Sequence, residues 1–322
     1  MEINQVVVFM LSIVVIGSLN MDMVVRAKRA PEAGETLFGQ EFALSPGGKG
    51  ANQAVAAARL GAEVTMIGRV GRDSFGSGLL EVMTQEQVHT GYITQSESQA
   101  TGVASIVVDG EGENRIIVVP GANVEMKPAD IEALEPVIRQ AGIVVMQLET
   151  DLTMVEAAAA VASRHGIPVI LNPAPAQPLG DELLHHVTYL TPNETEAGIL
   201  AGISVESVDD AERAARILLQ KGVQHIIVTL GSKGALIVNA AGSLHVPGFP
   251  VQAVDTVAAG DSFNGALAWQ LTRGKTLDEA VRFANAVGAL AVGKAGAIPS
   301  LPRLQEVKQF LQEAADAEPG AQ

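Results

Sequence analysis

Apolar segments alternate with helical patterns through the second half of the chain. The apolar segments, each ending in polar residues, are IVVMQLE at 143–149, IPVILNPAP at 167–175, VTYLTPNE at 187–194 and HIIVTLG at 225–231. The spacing of apolar positions predicts helices at 154–164, 209–220, 277–290 and from 303 to about 315. Continuous apolar strands that alternate with helices indicate an α/β protein with a mostly parallel sheet covered on both faces.

The first half of the chain adds a β-rich region to this pattern. Residues 12–16 predict a short buried strand, and we interpret residues 1–11 as an N-terminal extension because Met10 could serve as an alternative start. Residues 102–108 and 115–119 are β-rich runs joined by the turn DGEGEN, which predicts a hairpin. A hairpin outside the main sheet is a candidate lid, and an ordinary peripheral hairpin is the alternative. No linker divides the chain, so we predict one domain over 12–315, with lid segments at about 23–46 and 100–122.

Composition and charge exclude several classes of protein. The 322 residues are 48% hydrophobic and 18% charged, which is typical of a globular protein. The net charge of −15 argues against a general nucleic-acid or anionic-membrane surface. The absence of cysteine excludes disulfides and thiolate metal sites and fits a cytoplasmic location. The apolar run near the N-terminus is too short to span a bilayer and lacks the flanks of a signal peptide.

Polar residues follow several of the predicted strands. The first strand leads into GSLNMD, with Asn20 and Asp22, and the later strands end near Glu149, Asn172, Asn193, Glu196, Ser232 and Lys233. One such cluster is typical of a turn, but ligands bind outside the carboxyl ends of parallel strands. Five clusters at strand ends therefore predict a binding rim.

A glycine-rich segment precedes an alanine-rich helix at 51–60. Gly47, Gly48 and Gly50 surround Lys49, and paired glycines allow backbone N–H groups to approach a ligand. The segment is not a Walker A loop, because Gly50 stands where that motif needs Ser or Thr. Lys49 is either a ligand-facing lysine or a solvated loop residue.

The segment DTVAAGDSFNGALAWQL at 255–271 predicts a tight loop that leads into a helix. A helix N-terminus presents unpaired N–H groups and a positive dipole, and the small residues Ala259 and Gly260 would let an anion approach. Asp261 next to such an anion site makes chemical sense if it accepts a proton from a hydroxyl that attacks a phosphoryl group. The alternative is an acidic residue that only stabilises the start of the helix.

Two separated motifs and three shorter ones resemble the ribokinase family of sugar kinases, in the family's order and over nearly the whole chain. The motifs are GGKGANQAVAAARLG at 47–61, NPAPA at 172–176, TPNETEA at 191–197, TLGSKG at 229–234 and DTVAAGDSFNGAL at 255–267. The resemblance implies a three-layer α/β/α sandwich with a small β-sheet lid that closes over the sugar. It also implies ATP-dependent phosphorylation of D-ribose at its terminal hydroxyl, with Mg²⁺ and K⁺ as cofactors.

The resemblance assigns roles to individual residues. Asp261 is implied as the general base, and the backbone N–H groups of Ala258, Ala259, Gly260 and Asp261 are implied to hold the transferred phosphoryl group. The implied sugar-binding residues are Asn20, Asp22, Gly48, Gly50, Asn52 and Glu149, with Lys49 as a candidate. Asn193 and Glu196 would organise Mg²⁺ and the phosphates, although their spacing alone favours a helix cap. ATP would contact Thr229, Gly231, Ser232, Gly234, Gly260 and Asn285.

The family also implies a potassium ion next to the anion site. Its oxygen ligands would come from Asp255, Val257, Ala291, Lys294, Gly296 and Ser300, and oxygen-only ligation suits a hard cation. The chain departs from the family pattern at Ala258, where Gly is usual, and at Asn285, where His is expected. We expect the first change to be tolerated and the second to affect only the contact with adenine. The exposed strand edges of a lid favour a homodimer through the lid.

Other functions remain as alternatives. A kinase of the same family could act on 2-deoxyribose, another sugar or a nucleoside, although 3% aromatic residues offer little surface for stacking a base. A nicotinamide-dependent oxidoreductase would need a G-x-G-x-x-G turn after the first strand, and GSLNMD is not one. A non-catalytic sugar-binding protein of the same fold is a third alternative, which the intact AAGD and N-x-x-E motifs argue against.

Overall fold

A computed structural model describes residues 12–111 and 114–317, so the predicted extension at 1–11 lies outside the described residues. The strands are β1 (Ile13–Ile16), β2 (Asn20–Arg26), β3 (Glu41–Gly47), β4 (Val64–Gly71), β5 (His89–Ser96), β6 (Gly102–Val108), β7 (Asn114–Val119), β8 (Ile143–Met146), β9 (Val169–Leu171), β10 (Tyr189–Leu190), β11 (His225–Thr229), β12 (Gly234–Asn239) and β13 (Gly242–Pro247). The helices are α1 (Lys49–Arg59), α2 (Ser74–Gln85), α3 (Pro128–Ala133), α4 (Glu135–Ile138), α5 (Leu152–Arg164), α6 (Asp181–His185), α7 (Glu194–Ala201), α8 (Val208–Gln220), α9 (Ala259–Thr272), α10 (Leu277–Ala291) and α11 (Leu304–Ala317).

The main sheet has the strand order β13-β12-β11-β10-β9-β8-β1-β4-β5 within the described residues. All neighbours from β11 to β5 pair in parallel, and only β12 and β13 are antiparallel. The central strands β1 and β8 are buried at every position, which is why their sequences are continuously apolar. The predicted mostly parallel sheet is confirmed.

Helices cover both faces of this sheet. Ile13 and Val15 point into a core formed with α1, α2, α9, α10 and α11, whereas Val14 and Ile16 point into a core formed with α3, α5, α6, α7 and α8. This alternation follows from the two-residue period of a strand. The predicted three-layer sandwich is confirmed.

A second, four-stranded sheet with the order β3-β2-β6-β7 stands apart from the main sheet. Strands β6 and β7 form the predicted hairpin, and β2 pairs in parallel with β6. Only residues 17–19 separate β1 of the main sheet from β2 of this small sheet. The predicted lid region is therefore joined directly to the centre of the main sheet.

None of the helices in the described part of the chain combines the length and apolar character needed to cross a membrane.

Candidate active site

Helix α9 begins at the predicted tight loop. Ala258, which precedes the helix, has φ 60° and ψ 8°, a left-handed conformation that favours glycine and costs another residue about 1 kcal/mol. The structure accommodates Ala258 there with its methyl group buried. The first-turn N–H groups of the helix, which have no intrahelical acceptor, therefore open next to Asp261.

The carboxylate of Asp261 is only 6% exposed. Its Oδ2 accepts a hydrogen bond from Asn52 Nδ2 at 2.9 Å, and its Oδ1 accepts one from Gln53 Nε2 at 2.9 Å. Both amides come from α1, which packs closely on α9 because Gly265 has no side chain. A Cβ at Gly265 would lie 2.7 Å from the Ala56 Cβ atom. Neighbouring amides thus hold both carboxylate oxygens.

A cavity of about 350 Å³ opens above Asp261. Its lining includes the predicted sugar-binding residues Asn20, Asp22, Gly48, Lys49, Asn52 and Glu149, and also Asn172, Thr191, Asn264 and the lid residues Ala104, Ile106, Ile116 and Val118. Gly50 does not line this cavity. It lies behind it, where a Cβ would come within 2.6 Å of the Ser18 nitrogen. Gly50 therefore serves the close approach of α1 to the turn at 17–19.

Glu149 joins three of the segments around this cavity. Its Oε2 accepts hydrogen bonds from Ser18 Oγ at 2.6 Å, from the Lys49 backbone nitrogen at 3.1 Å and from Asn20 Nδ2 at 3.5 Å. Gly48 has φ 90°, and a Cβ there would lie 2.7 Å from the Asn20 nitrogen. The glycine-rich segment can approach the β1–β2 turn only because these positions have no side chain.

The ionisable groups of the cavity perturb one another. Burial, followed by the charges of Glu149 and Asp261, raises the pKa of Asp22 to about 7. Burial also raises the pKa of Glu196, with a further contribution from Asp261. For Lys49, burial alone would lower the pKa, but Asp261, Glu149, Glu196 and Asp22 together raise it above its ordinary value. Lys49 is thus a cation held among carboxylates.

A second cavity, of about 340 Å³, lies on the other side of the N-terminus of α9. It is lined by the predicted ATP-binding residues Thr229, Gly231, Ser232, Gly234, Gly260 and Asn285, together with Phe249 and Ala259. The amide of Asn285 donates to the carbonyls of Val246 and Pro247 at 3.1 and 3.2 Å, so it fixes the end of β13. Thr229 and Gly260 line both cavities. The start of α9 therefore lies between the cavity that contains Asp261 and the cavity lined by the predicted ATP-binding residues.

Asn193 and Glu196 form a helix cap and also face the first cavity. Asn193 Oδ1 accepts from the Glu196 nitrogen at 2.8 Å, and Glu196 Oε2 accepts from the Asn193 nitrogen at 2.9 Å. Both side chains line the cavity that contains Asp261. The two interpretations of N-x-x-E are compatible, because a capping box leaves further lone pairs on each oxygen.

Asp255 joins the two loops that supply the predicted potassium ligands. Its Oδ1 accepts from the Val257 nitrogen at 3.0 Å and its Oδ2 from the Gly296 nitrogen at 2.9 Å. Ser300 is fully buried. The Lys294 ammonium has no lone pair and is paired with Glu306 at 2.5 Å, so Lys294 could offer a cation only its carbonyl oxygen. Within residues 12–111 and 114–317 there is no group of three His, Cys, Asp or Glu side chains that could hold a metal ion.

Sequence reasoning missed several residues of the site. Asn123, in the turn after β7, accepts from the Leu19 nitrogen at 2.9 Å and donates to Asn20 Oδ1 at 2.8 Å, which fixes the orientation of the Asn20 amide. Ser18 holds Glu149, and Gln53 holds Asp261. A signal for Gln53 is present in the sequence, because it is an amide within an apolar, alanine-rich helix, and the large majority of buried polar side chains have a hydrogen-bond partner.

A buried carboxylate in a polar pocket, beside a helix N-terminus that opens toward a second pocket, suits phosphoryl transfer, which needs a proton acceptor and positive charge near the phosphates. Comparison with known proteins gives the class: the chain belongs to the pfkB family carbohydrate kinases, whose model matches residues 10–304. It is 44% identical to the ribokinase of Haemophilus influenzae over 94% of this chain and 99% of that protein. It is also 44% identical to the ribokinase of Bacillus subtilis, over 94% of this chain and 100% of that protein.

A solved structure agrees with this assignment. The structure of Arabidopsis thaliana ribokinase complexed with ribose and ATP superimposes with a TM-score of 0.87 at 35% identity, covering 94% of this chain and 99% of that one. The family resemblance inferred from the sequence motifs is confirmed, and the chain is a kinase.

Proposed function

We propose that this carbohydrate kinase transfers the γ-phosphoryl group of ATP to O5 of D-ribose, giving D-ribose 5-phosphate and ADP. The observation that supports this most directly is the position of Asp261, which is buried at the start of α9 and lines the first cavity, next to Gly260, which lines both. The ribokinases that resemble the chain over nearly its whole length support the choice of sugar.

Asp261 acts as the general base in this proposal. The sugar binds in the cavity of Asn20, Asp22, Lys49 and Glu149 with its terminal hydroxyl toward the Asp261 carboxylate. As the O5–phosphorus bond forms and the bond from phosphorus to the β-phosphate oxygen breaks, the hydroxyl proton passes to Asp261. The N–H groups at the start of α9 stabilise the charge on the transferred group.

The nucleotide occupies the second cavity, against Thr229, Gly231, Ser232 and Gly234. Asn193 and Glu196 present oxygen atoms at the boundary between the cavities, and hard divalent cations prefer such ligands. These two residues would hold Mg²⁺, which supplies positive charge to the phosphates when bound. The interaction of Asp255 with both Val257 and Gly296 supports a potassium site in the adjoining loops, where carbonyl oxygens would hold the ion.

The lid has an apolar outer face that we propose is covered by a second copy of the chain. Phe42, Ile117 and Val119 are 65%, 69% and 54% exposed on the small sheet. Burying such side chains contributes about 1.5 to 3 kcal/mol each, and the edge strands β3 and β7 offer free backbone groups for pairing. Light scattering should give a mass of twice 33.4 kDa at micromolar concentration. A measured mass equal to that of a single chain would contradict the dimer.

The experiment that tests the function is a coupled ADP-release assay. D-ribose, 2-deoxyribose, fructose and adenosine are compared in parallel with Mg²⁺ and ATP, each with and without K⁺. We expect ribose to give the highest kcat/KM and K⁺ to raise it. A preference for another sugar would retain the mechanism but change the substrate, and the absence of sugar-dependent ADP would support the non-catalytic alternative. The cytoplasmic location predicted from the sequence fits a reaction that consumes ATP.

A further inference from the structure

Gln53 is fully buried and uses each of its amide atoms in a hydrogen bond to another side chain. Its Nε2 donates to Asp261 Oδ1 at 2.9 Å and to Asn172 Oδ1 at 3.2 Å. Its Oε1 accepts from Gln147 Nε2 at 2.7 Å. An ionised carboxylate can only accept and an amide oxygen cannot donate, so the contacts with Asp261 and with Gln147 both favour the same orientation of the Gln53 amide.

Gln147, which follows β8, is itself held in a narrow space at the centre of the sheet. It is fully buried, and a Cβ added at Gly17 would lie 2.0 Å from its Oε1. Gly17 follows β1, the neighbour of β8 in the main sheet. The order Gln147, Gln53, Asp261 is therefore a chain of hydrogen bonds from the middle of the sheet to the carboxylate at the start of α9.

This chain restricts the carboxylate. Asn52 occupies Oδ2 and Gln53 occupies Oδ1, so rotation of the Asp261 carboxylate about its last bond would break two charge-assisted hydrogen bonds. Each carboxylate oxygen still retains an acceptor site, because it has about two lone-pair positions. The carboxylate can accept a proton only from a hydroxyl placed in the remaining direction.

We propose that Gln53 is a positioning residue for phosphoryl transfer, which orients Asp261 toward the attacking hydroxyl, and that Gln147 helps to hold Gln53 in this orientation. The inference rests on the proposed role of Asp261 as general base. Gln53 does not line either cavity among the described residues, so it acts through Asp261 rather than on a substrate.

A double-mutant cycle tests the proposal. Gln53→Leu keeps the volume and removes the amide, and it should lower kcat by about 10- to 100-fold with the KM values for ribose and ATP changed less than about threefold. In an Asp261→Ala background, where nothing remains to be oriented, Gln53→Leu should lower the residual kcat by less than about twofold. Gln147→Leu should act in the same direction with a smaller loss.

Gln270→Leu is the matched control, because Gln270 is a buried amide on α9 about 13 Å along the helix from Asp261. It should leave kcat within about twofold. Equal losses from Gln53→Leu in both backgrounds, or a loss that appears mainly in KM, would overturn the proposal. If Gln53→Leu does not fold, the same cycle with Gln147→Leu decides the question. Undiminished turnover in Asp261→Ala would instead refute the general base, and the positioning role with it.

Discussion

The residues around Asp261, which form the floor of the active site, and the small sheet above them, the lid, differ in burial and in hydrogen bonding. Asp261, Asn52 and Gln53 are at most 6% exposed, and both amides donate a hydrogen bond to the Asp261 carboxylate. Strand β7 of the lid, in contrast, is exposed at every residue. The amides of α1 hold both carboxylate oxygens of Asp261 before a ligand binds. Each of these oxygens keeps an acceptor site for a substrate hydroxyl, and Asn52 Oδ1 has no hydrogen-bond partner among the described residues. The lid would gain burial if a sugar or, as proposed above, a second chain covered it. Proton transfer needs a carboxylate that is held in a fixed orientation, whereas substrate capture needs a surface that becomes buried on binding.

The largest expected effect on kcat comes from removing the carboxylate at the floor of the active site. Asp261→Asn removes the proton acceptor but keeps the size of the side chain, so kcat should fall by roughly two to four orders of magnitude. The KM for ribose should change little, because the cavity walls remain. Steady-state ADP release measures both constants. Near-normal turnover would contradict the assignment of Asp261.

Asp22, on the lid strand β2, connects the two regions and should make sugar binding depend on pH. Its pKa of about 7 predicts that the carboxylate is mostly protonated below neutrality, where one of its oxygens becomes a donor and the group loses its charge. The KM for ribose should rise by about tenfold between pH 8 and pH 6, if binding follows the ionised form. A KM that is constant over this range would show that Asp22 does not bind the sugar as a carboxylate.

The same residue should oppose folding at high pH. The pKa of Asp22 in the folded protein lies above its ordinary value of 3.8, so the cost of ionising it is absent below about pH 4 and complete above about pH 7. Asp22→Asn should therefore raise the Tm at pH 8 and flatten the pH dependence of the KM. Thermal unfolding of both proteins at pH 5 and pH 8 measures the rise in Tm caused by Asp22→Asn, and this rise should be larger at pH 8.

A substitution on the outer face of the lid should weaken self-association without acting on the residues that carry out phosphoryl transfer. Ile117→Lys places a charge in the proposed dimer contact and should weaken self-association by at least about tenfold. Its matched control is Ile199→Lys, since Ile199 is 55% exposed on α7 of the main domain. Sedimentation across a concentration series distinguishes the two variants. If both dissociate alike, or neither does, the contact lies elsewhere.

The smallest expected effect is at Ala258. Ala258→Gly relieves the left-handed conformation and should raise stability by up to about 1 kcal/mol, or about 2 °C in Tm, with kcat within about twofold. Gln87→Gly is the control, because Gln87 also has positive φ, 62°, but lies in an exposed turn after α2. A loss of activity in Ala258→Gly alone would show that the methyl group helps to shape the anion site.

The fold could be predicted because its determinants are local. Continuous apolar runs such as residues 143–146, each followed by polar residues and alternating with helical patterns, are typical of strands covered on both faces. Most of the cavity residues could also be predicted, because Asn20, Asp22 and Glu149 follow strands whose carboxyl ends meet.

The side-chain network could not be predicted from spacing. Gln53 and Gln147 lie 94 residues apart in the sequence. Their side-chain amides meet only because of the way α1 packs against the sheet. Asn123 was missed for the same reason, since its partners Leu19 and Asn20 are more than 100 residues away. The close approach of Gly50 to the backbone of residues 17 and 18 could not be predicted either, because it also depends on how α1 packs.

The three-residue connection between β1 and β2 has a consequence for how such a kinase can change its substrate. Ser18 and Leu19 are fully buried in this connection, and Asn20 begins the first lid strand. The sugar pocket and the lid are therefore not separate modules that can be exchanged independently. A graft of another lid onto this scaffold would have to bring its own pocket wall with it, and an insertion into the connection would alter sugar recognition and lid angle together.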